Sequence, residues 1–256
     1  EILIGLVGSE MCIRDSNMSH DIRTPMNAIL GYAQLMENEL NGKDIPEALE
    51  HLEKLQQSGN LLLSIINNVL DMARIESGRM EIDENYAQIE AIWQNLFELF
   101  EDEAKKKNIV FHYKVDVEHK HILTDVTKIE EIFVNIMSNA MKYTLSGGFV
   151  TVNVEELPCD ESGYIIVRTR VSDTGIGMSQ DYLTKIFEPF TREQNTTKSR
   201  ITGTGLGMSI VKKYVALLGG TINVESELGE GSVFTVTLKH KIADKSYYAK
   251  KYVENQ

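Results

Sequence analysis

The chain has 256 residues, 42% of them hydrophobic and 25% charged, so it can bury a substantial core and is long enough for two domains. Its 38 acidic and 26 basic residues give a formal net charge of −12, which disfavours binding to a nucleic-acid backbone. The two cysteines are too few for a disulfide framework or a cysteine-based zinc site, which indicates a reducing compartment.

The N-terminal segment 1–16 has the pattern of neither a signal peptide nor a membrane span. Its apolar run, residues 2–7, is far shorter than the roughly 20 residues that cross a bilayer, and it follows an acidic residue rather than a basic region. The segment is similar to translated adapter sequence, so we interpret it as non-native. We expect no membrane contact within the chain.

Two amphipathic helices are predicted next. Apolar residues recur in steps of three and four over residues 18–40, and the same spacing returns over 49–73 after a break at 41–43. Two such helices form an antiparallel hairpin, and two hairpins together bury their apolar stripes as a four-helix bundle. We therefore predict a homodimer; the alternative is that the stripes pack on the rest of the same chain.

A second domain is predicted after residue 78, where strands and helices follow each other. The predicted helices are 88–107, 127–143, 180–186 and 206–217, and the predicted strands are 109–117, 149–156, 164–172, 221–226 and 232–238. Because the two types do not strictly alternate, we expect an α+β fold with helices on one face of a mixed sheet. The predicted boundaries are 17–78 for the hairpin, 79–86 for a linker, 87–240 for the second domain and 241–256 for a tail, with a polar lid at 191–204.

The first helix carries a candidate nucleophile. His20 lies on the face opposite the apolar stripe, beside Asp21, and Thr24 shares the outer face. A carboxylate can accept the Nδ1 proton of an imidazole and leave Nε2 as the nucleophile. Taken alone, an exposed histidine near a carboxylate is typical of an ordinary surface.

Three further motifs are suited to a nucleotide. Asn135 and Asn139 are four residues apart on one helix face with Lys142 one turn further, a set that fits Mg²⁺-bound polyphosphate. Asp173 follows a strand and can accept a hydrogen bond from the exocyclic amine of adenine. The glycine-rich run 203–207 opens a helix and forms an anion site, but its spacing fits neither the Rossmann nor the P-loop pattern.

Together these motifs resemble the five boxes of sensor histidine kinases, in family order. NMSHDIRTPMNAI is similar to the H box, FVNIMSNAMKYT to the N box, VSDTGIGM to the G1 box, IFEPF to the F box and GTGLGMSIVKKYVALLGGTI to the G2 box. The resemblance implies a dimeric phosphotransfer hairpin followed by an ATP-binding α/β sandwich of the type found in heat-shock chaperone ATPases and type II topoisomerases. One departure is Arg14-Asp15, where the family has two large apolar residues; it fits a native sequence that begins near Ser16 or Asn17.

The resemblance also implies residue roles. His20 would be the phosphoacceptor, Asp21 its acid/base partner, and Thr24 would position water when a response regulator is dephosphorylated. Asn139 and Asn135 would serve Mg²⁺. The nucleotide-binding residues would be Asn135, Asn139, Lys142 at the phosphates, Tyr143 beside the adenine, Asp173 at its amino group, and Gly175, Gly177, Gly203, Thr204, Gly205, Leu206 and Gly207 along the nucleotide.

The implied function is that of an ATP- and Mg²⁺-dependent protein-histidine kinase. It would autophosphorylate His20, pass the phosphoryl group to an aspartate of a response regulator, and act as a regulator phosphatase. The expected location is cytoplasmic, which is compatible with anchoring of a longer parent protein at the inner face of the cell membrane. Two alternatives stay open: an ATP-hydrolysing machine, which carries a glutamate base where Asn135 stands, and a non-catalytic dimeric scaffold.

Overall fold

A computed structural model of the chain describes residues 22–40, 45–192 and 205–243. Among these residues the chain divides into two compact units between Met80 and Glu81, and Gly205 and Leu206 are grouped with the first unit. None of the helices in the described ranges combines the length and apolar composition that a bilayer span requires. Most of the predicted lid and tail lies outside these ranges.

The first unit is a helical hairpin. Helix α1 covers residues 22–40 and helix α2 covers Ile45–Glu76. His51 on α2 and Glu39 on α1 form a hydrogen bond of 2.7 Å, and Tyr32 stacks on the His51 ring. These contacts join the two helices near the connection between them, so the predicted hairpin is confirmed.

The second unit is built on a mixed seven-stranded sheet. Its strands are β1 (Asn85–Gln88), β2 (Val110–Asp116), β3 (His121–Thr124), β4 (Phe149–Leu157), β5 (Tyr164–Asp173), β6 (Thr221–Glu227) and β7 (Gly231–Ile242). Six of them follow the order β1-β3-β7-β5-β4-β2, and β6 pairs with β7. Among the strands of the described residues, β2 and β4 pair in parallel and the other pairs are antiparallel. The helices are α3 (Ile89–Lys107), α4 (Val126–Tyr143), α5 (Gln180–Leu183) and α6 (Gly207–Leu217).

The core lies between one face of the sheet and the helices. Alternate residues of β4 are buried at Val150, Val152 and Val154, and β5 shows the same period of two. Helix α4 packs between α3 and α6, and its apolar residues, such as Ile136 and Met137, are fully buried. The predicted arrangement of helices on one face of a mixed sheet is therefore confirmed.

One predicted helix is shorter than expected. The predicted helix 180–186 ends at Leu183, because hydrogen bonds between residues three apart, such as Lys185 N–H to Tyr182 O, replace the helical pattern. Two histidines have defined structural places. His119 lies in the turn before β3. His240 is buried with 7% exposure because it lies on the helix-facing side of β7.

Candidate nucleotide and phosphotransfer site

Helix α4 positions the two asparagines. Because Asn135 and Asn139 are four residues apart, they lie on the same side of the helix, and both are half-buried. The Asn135 Nδ2 group donates a hydrogen bond of 2.8 Å to the backbone oxygen of Glu131, which fixes the orientation of the amide. Its Oδ1 atom is thereby directed away from that contact.

The first residue of α6 lies directly against this oxygen. A β-carbon placed on Gly207 would be 2.6 Å from Asn135 Oδ1, closer than real contacts allow. The start of α6, where helical N–H groups lack partners within the helix, therefore meets the polar face of α4. The two predicted motifs that carry Asn135 and Gly207 come together in the fold.

Positive charge gathers at the other end of α4. The pKa of Lys142 is lowered to about 8, mainly by burial and also by the nearby charges of Arg192 and Lys107. The Lys142 Nζ atom lies 5.0 Å from the centre of the Tyr143 ring, and burial raises the pKa of that phenol. The neighbouring positive charges of Lys142, Arg192 and Lys107 create a local positive potential that attracts a polyanion.

Asp173 ends strand β5 as a largely buried carboxylate. Burial raises its pKa to about 6, and hydrogen bonds from the backbone N–H groups of Gly175 and Ser232 oppose that rise. The Gly175 bond to Asp173 Oδ1 measures 2.9 Å. At pH 7 the side chain is therefore mainly an ionised acceptor held in a fixed orientation by backbone donors.

The two glycines after Asp173 have packing reasons of their own. A β-carbon on Gly175 would be 2.6 Å from the Tyr143 carbonyl oxygen, and one on Gly177, where φ is +61°, would be 1.9 Å from the Glu227 carbonyl oxygen. The family resemblance implies that these glycines lie along the nucleotide. In the structure the protein's own backbone already takes the space that a side chain would need.

Several predicted site residues cannot be compared with this geometry. His20, Asp21, Gly203 and Thr204 lie outside the described residues. Thr24 is exposed on α1 in the first unit, and the backbone of Gly205 has a φ of +68°. Gly175 contacts both Tyr143 and Asp173, and Gly207 contacts Asn135, so each of these two groups includes one residue from the second half of α4.

Sequence reasoning missed four contributors to this region. Lys107 and Arg192 add to the positive charge at Lys142, and Ser232 donates to Asp173. Asp125 caps α4 by accepting from Lys128 N–H. Only the Asp125 signal was readable in the sequence, as an aspartate directly before a helical pattern. The others depend on sheet pairing and on loop positions.

The donor set fits the expected ligands. Mg²⁺ prefers oxygen donors and is commonly held together with phosphate oxygens and water, so amide oxygens on α4 beside a lysine suit it.

A second group of possible metal ligands, Glu118, His119 and Glu156, is explained without an ion. Glu156 accepts from both backbone N–H groups of the turn and contacts His119 Nδ1 at 2.7 Å, which fastens that turn to β4.

Comparison with known proteins agrees with both units. Residues 16–78 match the His Kinase A (phospho-acceptor) domain, and residues 124–242 match the histidine kinase-, DNA gyrase B-, and HSP90-like ATPase. The autoinducer 2 sensor kinase/phosphatase LuxQ of Vibrio parahaemolyticus is 34% identical over 229 residues, which cover 88% of this chain and 26% of LuxQ. The chain spans less than half the length of such curated relatives.

Two solved structures share the architecture. Full-length ShkA in complex with AMPPNP has a TM-score of 0.64 and 31% identity, covering 89% of this chain and 46% of ShkA. Histidine kinase ThkA in complex with the response regulator protein TrrA has a TM-score of 0.61 and 26% identity, covering 91% of this chain and 61% of ThkA. A phosphoacceptor hairpin followed by this ATPase fold defines a protein-histidine kinase. The chain belongs to the sensor histidine kinases.

Proposed function

We propose that this chain is the catalytic core of a sensor kinase that uses ATP to phosphorylate His20 and passes the phosphoryl group to an aspartate of a response regulator. The proposal is supported chiefly by the polar and charged groups that lie along α4 and next to it. The Asn135 amide oxygen, the start of α6 and the cations around Lys142 together suit a polyphosphate, and the Asp173 carboxylate lies beyond Tyr143 as an acceptor for the base.

The reaction is an in-line displacement at the γ-phosphorus. The lone pair of His20 Nε2 forms the new N–P bond while the bond from phosphorus to the β,γ-bridging oxygen breaks, which gives phosphohistidine and ADP. Asp21 accepts a hydrogen bond from Nδ1–H and stabilises the positive charge on the imidazole. Lys142 neutralises phosphate charge. Mg²⁺, when bound through Asn135 and Asn139, supplies further charge neutralisation and orients the phosphates.

The base is selected by Asp173. An ionised carboxylate accepts from the exocyclic amine of adenine, whereas guanine has an oxygen at the equivalent position and offers no donor there. With a pKa of about 6, Asp173 is mostly ionised at pH 7. We therefore infer that ATP is used in preference to GTP.

The hairpin supports a homodimer. Apolar residues on both helices stay exposed, among them Leu30 at 64% and Leu63 at 60%. Exposed apolar side chains on both helices favour burial against a second copy. Leu99 on α3 is also 60% exposed and is a matched control in the other unit. Sedimentation of the full chain should show that Leu63→Glu yields monomers and that Leu99→Glu does not; a dimeric Leu63→Glu protein would contradict the proposed interface.

A response regulator is the proposed acceptor. ThkA is a histidine kinase solved in complex with a response regulator, and LuxQ is named a sensor kinase/phosphatase, which supports both transfer to a regulator and its dephosphorylation. The exposed Thr24 is the proposed water-positioning residue for the second reaction. The use of ATP as phosphoryl donor fits a cytoplasmic location for this core.

Incubation of the full chain with γ-labelled ATP and Mg²⁺ tests the proposal. We expect acid-labile, alkali-stable label on the protein that disappears in His20→Gln and persists in His112→Gln, which changes an exposed histidine of the second unit. Release of free phosphate without protein label would instead identify an ATP hydrolase. That outcome needs a general base, and the Asn135 amide cannot deprotonate water. Nucleotide binding with neither product would identify a scaffold.

A further inference from the structure

The side chain of Asp125 makes two contacts that point in different directions. It is buried with 6% exposure at the start of α4. Its Oδ1 atom accepts the Lys128 N–H at 3.1 Å and so caps the helix, while its Oδ2 atom accepts the Asp83 N–H at 3.1 Å. The second bond joins α4 to the segment that leads from the hairpin into β1.

That segment is anchored at both ends. At its start, the Arg79 N–H donates to the Arg74 carbonyl at 2.9 Å, with Gly78 in the left-handed conformation that ends α2. At its end, Asp83 is held by Asp125. Only residues 80–82 lie between the two anchored residues. A fully extended chain from residue 79 to residue 83 spans at most about 14 Å, so the tether between the anchors is short.

We propose that Asp125 is a positioning residue for phosphoryl transfer, because it ties the linker to the helix that carries Asn135, Asn139 and Lys142. The inference rests on the proposed function, in which a nucleotide on the second unit must meet His20 on the first. Transfer between two linked modules depends on the length of the tether and on the orientation that it imposes. When the Asp83 N–H is bonded to Asp125, the linker is attached directly to the start of α4. A movement of the linker is then passed on to the helix that carries the nucleotide-binding residues.

Three variants separate this bond from the cap. Asparagine caps a helix as well as aspartate does, but its amide nitrogen cannot accept a hydrogen bond, so Asp125→Asn keeps the cap and gives up the second acceptor. Asp83→Pro removes the same bond from the donor side, since proline has no N–H. Asp83→Ala keeps the N–H and removes only an exposed carboxylate, which makes it the matched control.

The experiment measures the rate of autophosphorylation at saturating Mg·ATP and the Kd for Mg·ATP in the full chain. We expect Asp125→Asn and Asp83→Pro each to lower the rate about fivefold with Kd changed by less than about twofold, and Asp83→Ala to leave both as they were. The double variant Asp125→Asn/Asp83→Pro should be no slower than either single variant, because both break one bond.

Three outcomes overturn the role of Asp125. These are unchanged rates in Asp125→Asn and Asp83→Pro, a loss of Mg·ATP affinity that accounts for the whole decrease in rate, and multiplied effects in the double variant. The first would mean that the tie is irrelevant to transfer, and the second that Asp125 only supports the binding helix. An unsubstituted protein that acquires no label overturns the proposed function itself, so the two failures are distinguished within one series of measurements.

Discussion

The Oδ1 atom of Asn135 occupies the position next to Gly207 that a side chain at residue 207 would need, 2.6 Å from where its β-carbon would lie. The oxygen belongs to the end of a side chain and can move, whereas the backbone of Gly207 begins α6. The absence of a side chain at residue 207 therefore permits the Asn135 amide to keep its bond to Glu131 and its present orientation. Gly207 is therefore expected to affect ligand binding through the orientation of the Asn135 amide.

Gly207→Ala should accordingly weaken the binding of Mg·ATP more than it changes the folding free energy. Displacing one amide costs roughly 1 kcal/mol of stability, while a misplaced ligand oxygen should weaken Mg·ATP affinity about tenfold. Calorimetric titration and denaturant unfolding of the full chain measure the two quantities. Gly31→Ala in α1, where a β-carbon would meet nothing within 4 Å, is the control. A large loss of stability with normal affinity would contradict the relationship.

The longer elements were predictable because their periodicity extends over several turns or several strand residues. The helix predicted at 127–143 is observed as Val126–Tyr143, and the strand predicted at 164–172 as Tyr164–Asp173. Strands β1 and β3 were missed because each has four residues, too few for a pattern. They are stabilised by pairing, and Ile122 of β3 is opposite Ile242, a distant position in the sequence.

The same distinction holds at the candidate site. The helical spacing of Asn135 and Asn139 is local and could be read from the sequence. The contact between Ser232 and Asp173 is not local, because it arises where β5 and β7 pair in the register Asp173 to Ser232. Likewise, only the folded structure reveals that Gly177 lies against the Glu227 carbonyl.

Gly177→Ala should destabilise the second unit far more than Gly229→Ala. Both glycines have positive φ, so alanine at either position costs about 1 to 2 kcal/mol of backbone strain. A β-carbon on Gly229 would meet nothing within 4 Å, whereas one on Gly177 would lie 1.9 Å from a backbone oxygen. We expect a further loss of at least about 2 kcal/mol for Gly177→Ala in denaturant unfolding. If Gly177→Ala and Gly229→Ala lost the same amount of folding free energy, the backbone at Glu227 would have to move away from residue 177 at no energetic cost.

Asp173→Asn should stabilise the nucleotide-free protein and abolish selection of adenine. Because burial raises the native pKa from 3.8 to about 6, the folded state holds its proton more tightly, and stability falls as pH rises from about 4 to about 6. Asparagine carries no charge, so the gain should be up to about 3 kcal/mol at pH 8 and should vanish near pH 4. Unfolding at several pH values measures it; a gain that does not depend on pH would exclude this cause.

His240→Leu should change the pH dependence of stability in the opposite sense. His240 is buried among the apolar side chains of α3 and β7, including Trp93 and Leu238, and burial lowers its pKa to about 4. The unfolded chain binds the proton at about 6.5, so this residue's contribution is complete above pH 6.5 and is lost as pH falls toward 4, by up to about 3 kcal/mol.

Leucine cannot be protonated, so the His240→Leu protein should escape that loss, and its advantage over the unsubstituted protein should grow steadily from pH 7 down to pH 4. Over the same interval the Asp173 contribution has the reverse slope, which partly hides the histidine effect until His240 is replaced. His112→Leu, at an exposed strand position, should leave the profile unchanged. If the stability difference between His240→Leu and the unsubstituted protein were the same at pH 7 and pH 4.5, the imidazole would not be held neutral by its burial.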